Sequence, residues 1–220
     1  MPTLHLLRVF CGDDDTGGNP LAVFPDGAEV PPARRQAVAA DLGLSETVFV
    51  DDAVRGDIQI FTPAVELNFA GHPTVGTAWL LKTDRLRVSA GELLVTREGP
   101  LVFVGARPAW GPPWEFTQLA TPAEVEALDG PPGGHDLLAA WAWIDEDAGT
   151  VRARMFGTRI GIVEDEATGS AATKLCALLG RPIDIRQGRG SRILARPEDD
   201  GFVAIGGRSV RDEERDYVLP

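Results

Sequence analysis

Two stretches of the chain read alike: AGHPTVGTAWLL at residues 70–81 and GIVEDEATGSAATKLCALLG at residues 161–180. Each leaves an apolar, strand-like run, crosses a short loop and enters a run that favours helix. Gly71 makes a tight exit from the first strand, Pro73 suits a first helical turn, and Val75, Ala78, Trp79 and Leu81 continue an apolar helix. In the second stretch Gly180, with Pro182 just beyond, ends the helix. Laying HPTVGTA (72–78) on DEATGSA (165–171) puts Gly76 on Gly169, Thr77 on Ser170 and Ala78 on Ala171, with His72 opposite Asp165. The shared strand–loop–helix context favours an internal repeat over two unrelated helix starts. A helix start has unpaired N–H groups and a positive dipole end, and a glycine beside it lets a ligand approach the backbone. Two such starts facing each other predict a site for a carboxylate, or for a developing oxyanion or carbanion, that uses no cation.

Outward from these units the pattern is mostly short strands. Residues 3–10, 21–24, 47–50, 58–61 and 66–69 read as strands, with GDDDTGGN (12–19) as a loop. Residues 31–42 read as a helix, opened by prolines and stopped by Gly43. Residues 88–96 and 101–105 read as two more strands. The Trp-, Gly- and Pro-rich run at 108–113 reads as an inter-domain linker. Thr121, Pro122 and Glu124 have the spacing of a capped helix start. Residues 137–144 and 151–156 form an expected hairpin, and 192–210 short strands around a turn at 198–201. The expectation is thus an α+β chain with an N-terminal half at 1–107, a C-terminal half at 114–205, and a tail at 206–220 that packs back on the first half.

Composition narrows the function. The 220 residues suit two small domains, and 44% are hydrophobic, enough for a sizeable core. A net charge of −12 makes nucleic acid and anionic membrane poor partners. No apolar run reaches the length of a membrane span. MPTLHLLRVF runs straight into a strand-like pattern with no signal-peptide character, so a cytoplasmic protein is expected. Cys11 and Cys176 are too few for a disulfide scaffold and read as buried apolar residues. HExxH, CxxC, Walker and Rossmann patterns are absent, so neither a metal nor a nucleotide cofactor is expected.

In order along the chain, GNPLAVF (18–24), LGLSETVFV (42–50), FTPAVELNFAGHPTVGTAWLL (61–81), MFGTRIGIVEDEATGSAA (155–172) and IDIRQGRGSRI (183–193) resemble the phenazine-biosynthesis-like (PhzF) family. The resemblance implies a diaminopimelate epimerase-like fold: two similar domains, each a mixed, mostly antiparallel barrel-like sheet around a central helix. Those helices would begin at Pro73 and near Thr168, with a ligand between the domains. It further implies a homodimer and a cofactor-independent isomerase that moves a proton on a small cyclic or unsaturated carboxylate. Two departures stand out. The family's usual E-D-P-A-T-G-S-A has Glu166 in place of its proline, and the region 108–135 is short.

Taken alone, Glu46 in SETVFV reads as a solvated turn glutamate, His72 as a histidine capping a loop and Asp165 as a first-turn helix acid. The resemblance makes Glu46 the acid/base, His72 a substrate-orienting or proton-transfer group, and Asp165 a positioning or second proton-transfer group. A desolvated Glu46 would have a raised pKa, and His72 at a helix start would be neutral. Gly71, Pro73 and Thr74 from one half and Thr168, Gly169 and Ser170 from the other are expected to bind substrate, with Ser45 a weaker candidate. A non-catalytic protein that binds a small acid is the alternative.

Overall fold

In the computed structural model, which describes residues 1–160 and 162–220, the first strand shows how the sheet is built. Along β1 (Thr3–Cys11), Leu7 and Val9 face a large interior core, whereas Leu4 faces a smaller one outside it. This two-sided burial recurs because apolar residues line both faces of the sheet. The chain continues through β2 (Gly17–Phe24), α1 (Pro32–Leu42), β3 (Glu46–Asp52), β4 (Asp57–Phe61) and the short β5 (Glu66–Leu67). Next come α2 (Gly71–Leu81), β6 (Arg85–Val88), β7 (Gly91–Glu98) and β8 (Leu101–Ala106). The remainder is β9 (Glu115–Gln118), α3 (Pro122–Glu126), β10 (Leu138–Asp145), β11 (Thr150–Gly157), β12 (Ile162–Asp165), α4 (Gly169–Leu179), β13 (Ile183–Gln187), β14 (Ser191–Pro197) and β15 (Val203–Asp216).

The fold is α+β and dominated by sheet. Strands β1, β2, β3, β4, β6, β7, β8 and β15 pair in that order, and β15 pairs again with β1, which closes a barrel. Helix α2 packs against β1, β2, β3, β8 and β15 of that barrel. Its Gly76 is needed for close packing: a Cβ there would stand 2.6 Å from side-chain atoms of Val9 and Leu21. Helix α1 covers the outer core of Phe24, Val38, Phe49 and Tyr217. From β15 the sheet runs on through β14, β13, β11, β10 and β9, with α4 packed on β14 and β15. Strand β15 therefore serves both parts: Val203–Gly207 pair with β8, and Arg208–Asp216 pair with β1. No helix among the described residues is long and apolar enough to cross a membrane.

Several expectations change. The loop expected over 12–19 is already strand from Gly17, because β1 pairs with it, Cys11 with Gly17 and Val9 with Asn19. Turn-forming residues thus join a ladder whose partner supplies their hydrogen bonds. The strand expected over 88–96 starts at Gly91 as β7, while Val88 ends β6, which pairs with it across a turn just before Gly91. The strand at 66–69 ends at Leu67, and β9 was not foreseen. Residues 108–113 are packed rather than slack: Trp110 meets the rings of Phe69 and Phe202 at 5.8 and 5.9 Å between centroids. Other signals hold. Gly43 and Gly180 end α1 and α4 in the left-handed conformation, at φ 63° and 65°. Thr121 accepts from the Glu124 N–H, and the Glu124 carboxylate accepts from the Ala120 N–H, one residue off the expected capping box.

Candidate active site

Helices α2 and α4 meet head to head. A Cβ on Gly71 would lie 2.6 Å from the Gly169 Cα, and one on Gly169 would lie 2.7 Å from the Gly71 Cα. Backbone approaches backbone this closely only between glycines. The contact also corrects the repeat. The counterpart of Gly169 is Gly71, the first residue of an equally long helix, and not Gly76. His72 therefore corresponds to Ser170, and Asp165 lies upstream of α4 at the end of β12 with no twin at His72.

Glu46, the first residue of β3, is 9% exposed, and His72 is 4% exposed. The His72 Nε2 lies 3.3 Å from a Glu46 carboxylate oxygen, without hydrogen-bond alignment, and both atoms otherwise lack a partner. Burial pushes the Glu46 carboxyl up to about 7, partly offset by a hydrogen bond from Ser45. Burial likewise pulls His72 down to about 4, against the charge of Asp165 and a hydrogen bond with the Pro20 backbone. The imidazole is thus neutral, as expected, but chiefly because it is desolvated rather than because of the helix dipole.

Asp165 is held from both parts of the fold. Its carboxylate accepts from Asn19 Nδ2 at 2.7 Å and from the Thr168 hydroxyl at 2.6 Å. Burial first and then the charge on Glu46 raise it to about 6, while His72 and its two donors act the other way. Asn19 also donates to the Ala167 carbonyl at 2.9 Å. Gln187 completes the cradle: its amide donates to the Asp165 carbonyl at 2.8 Å and accepts from the Thr168 N–H at 3.2 Å. Glu166, in the place of the usual proline, accepts from the Arg189 N–H at 2.7 Å and the Ser191 hydroxyl at 2.8 Å. Ser191 in turn accepts from the Gly18 N–H at 2.8 Å.

A cavity of about 630 Å³ opens beside these groups, a size suited to a small molecule. Glu46, Asp165, Thr168 and Ser170 line it, and Phe69, Trp110 and Trp114 give it an apolar wall. Ser170 accepts from the Trp114 indole N–H at 3.0 Å. His72 lies behind Glu46 and does not line the cavity, nor do Gly71, Pro73, Thr74, Gly169 or Ser45. The Thr74 hydroxyl is taken by the Ala70 and Gly71 carbonyls, and Ser45 donates to Asn19 at 3.4 Å. The two helix starts are therefore unequal: α4 reaches the cavity through Thr168 and Ser170, and α2 only through its N-cap residue Ala70. Both cysteines are buried and unbridged, and burial raises the Cys176 thiol to about 12. Among the described residues, no group of three or more His, Cys, Asp or Glu is placed to hold a metal ion.

Sequence reading missed Asn19, Gln187 and the aromatic wall. Gln187 carried a signal: it occupies the buried phase of β13 together with Ile183 and Ile185. A polar residue on the apolar phase of a strand needs partners, and here they belong to the site.

Known proteins share this arrangement of sequence and fold. The profile of phenazine biosynthesis-like proteins matches residues 8–107. A trans-2,3-dihydro-3-hydroxyanthranilate isomerase of Pseudomonas fluorescens is 33% identical over 82% of this chain and 85% of its own length. The Pseudomonas aeruginosa protein of that name is 34% identical over 84% and 86%. A phenazine biosynthesis PhzC/PhzF protein of Clostridium difficile superposes with a TM-score of 0.82 over the whole of both chains, at 20% identity. The chain is an isomerase of small molecules. It belongs to the phenazine biosynthesis-like (PhzF) family.

Proposed function

We propose that the cavity is the active site of a cofactor-independent isomerase in which Glu46 moves a proton on a small cyclic or unsaturated carboxylate. One observation carries the reading: a desolvated carboxyl poised at about 7 in the wall of an otherwise largely apolar cavity. A group with that pKa can both take and return a proton near neutrality. Ionised Glu46 removes a proton from a saturated carbon beside the unsaturated system. The C–H electron pair enters the conjugated system, and the Glu46 carboxyl, its proton exchanging with solvent, delivers a proton to another carbon of it. Nothing is oxidised or reduced. His72, neutral and 3.3 Å away, orients the carboxyl and accepts a hydrogen bond from its protonated form. Asp165, Thr168 and Ser170 hold polar groups of the substrate. The head-to-head helices, each 11 residues long and packed on its own stretch of sheet, support reading the chain as two related halves around this site.

The curated relatives suggest trans-2,3-dihydro-3-hydroxyanthranilate as the first probe. Incubated in deuterated water and followed by NMR, the wild type is expected to shift the double bond and incorporate deuterium. Glu46→Gln is expected to slow this by about 10²–10⁴-fold. Equal exchange by both proteins sinks the role of Glu46. Tight binding without exchange at any carbon would leave the non-catalytic binding protein instead.

A further inference from the structure

The cavity carries a cation that neither the helix starts nor the motifs announce. Arg159, in the 3₁₀ turn Thr158–Ile160 after β11, is the sole basic residue lining it among the described residues. Its main chain is anchored, since its N–H donates to the Asp136 carbonyl at 3.2 Å. Its side chain is exposed, and the guanidinium has no hydrogen bond or ion pair with another described residue. Other arginines are committed: Arg154 to Glu164, Arg192 to Asp13 and Asp184, and Arg208 to Asp15.

The ionisable groups around Arg159 give that spare charge a use. Glu46, Glu66 and Asp165 also line the cavity, in a chain of net charge −12. An anion entering the site therefore meets like charges. A guanidinium presents a planar fork that matches a carboxylate. Phe69, Trp110 and Trp114 supply a flat apolar surface for the rest of such a ligand. We propose that Arg159 is the specificity-determining residue of the cavity: it binds the substrate carboxylate and selects ring acids over neutral rings of the same shape. The proposal rests on reading the cavity as the substrate site.

The test uses 2-aminobenzoate and its uncharged analogue 2-aminobenzamide as probes, with calorimetric titration of the wild type, Arg159→Ala and Arg159→Lys at low salt. The wild type is expected to prefer the acid by about ten- to a hundredfold, the scale of a charge-assisted hydrogen-bonded pair. Arg159→Ala should level the two probes, Arg159→Lys should keep part of the preference, and added salt should shrink it. Equal affinities in the wild type, an undiminished preference in Arg159→Ala, or failure of the wild type to bind either probe overturns the proposal. The two readings fail separately. An Arg159-dependent preference in a protein that exchanges no substrate proton removes the isomerase mechanism and leaves Arg159, whereas exchange with an indifferent Arg159→Ala does the reverse.

Discussion

Helices α2 and α4 are both 11 residues long, begin on glycines that touch, and are packed on neighbouring parts of one continuous sheet. Their first turns meet different surroundings. Every residue of α2 from Gly71 to Ala78 is buried, of its start only the N-cap Ala70 lines the cavity, and His72 approaches Glu46 and the Pro20 backbone. The start of α4 opens on the cavity through Thr168 and Ser170. On the proposed mechanism the labour is divided: the α2 start supports the Glu46 carboxyl, and the α4 start meets the ligand. This division explains how one chain can hold a desolvated acid and a ligand cavity next to each other.

The comparison breaks most severely if the two starts are pushed apart. Gly71→Ala or Gly169→Ala drives a methyl group into opposing backbone, which cannot rotate away. Each is expected to cost about 3 kcal/mol or more, read as a lower urea midpoint at unchanged slope. Gly76→Ala meets only side chains and should cost less.

The sealed side can be probed through pH. Glu46 is raised from 4.5 to about 7, so the native state keeps its proton longer than the unfolded chain, and stability falls as pH rises across that window. At pH 8 the cost is about 3 kcal/mol, and Glu46→Gln should recover most of it while changing little at pH 4. His72 is lowered from 6.5 to about 4, so its contribution is lost as pH falls through that window. His72→Gln should flatten the acid limb alone. Urea midpoints at pH 4, 5.5 and 8 separate the two, and one limb responding to both variants would show a coupled pair rather than two separable groups.

The paired helix starts are legible in the sequence, but neither their register nor the unequal part each takes is. Glu46, His72 and Asp165 are marked only by the resemblance of their motifs to the family, since their local patterns read as turn and capping groups, and the structure brings them to one place. Gly76 misled because a Gly-Thr-Ala triplet matches Gly-Ser-Ala wherever small residues pack. The true counterpart, Gly71, is fixed by a backbone contact between distant segments that no local pattern encodes. Residues 17–19 misled for a related reason: Gly17, Gly18 and Asn19 are turn formers in isolation, yet β1 and Ser191 take up their hydrogen bonds. Trp110, Trp114 and Arg159 sit in irregular segments, where periodicity carries no signal.

Glu166 offers a sharper cut on the open side. Its carboxylate accepts two hydrogen bonds from the turn that follows Gln187, and Gln187 cradles Asp165 and Thr168. Glu166→Ala should cost about 2 kcal/mol, the scale of hydrogen bonds to a charged group. Amide exchange should quicken at Gly18, whose N–H is held through Ser191, and at Arg189. If neither amide responds, Glu166 is an incidental surface charge and the second start is held by other means.

The smallest effect expected is at Ser170, and it tests the division most directly because Ser170 stands where His72 stands on α2. Its hydroxyl accepts from the Trp114 indole N–H, and Trp114 is 7% exposed. Removing the oxygen leaves that donor without its partner at the cavity wall, a loss of about 1 kcal/mol in stability. Ser170→Ala should therefore loosen the aromatic wall and weaken binding of a ring acid several-fold. It should not move the pH at which activity rises, because on the proposed mechanism that limb belongs to Glu46, whereas the Ser170 hydroxyl is bonded to Trp114. A shift in the limb would mean that the α4 start also sets the charge on Glu46, and that the two starts share one electrostatic unit instead of dividing support from recognition.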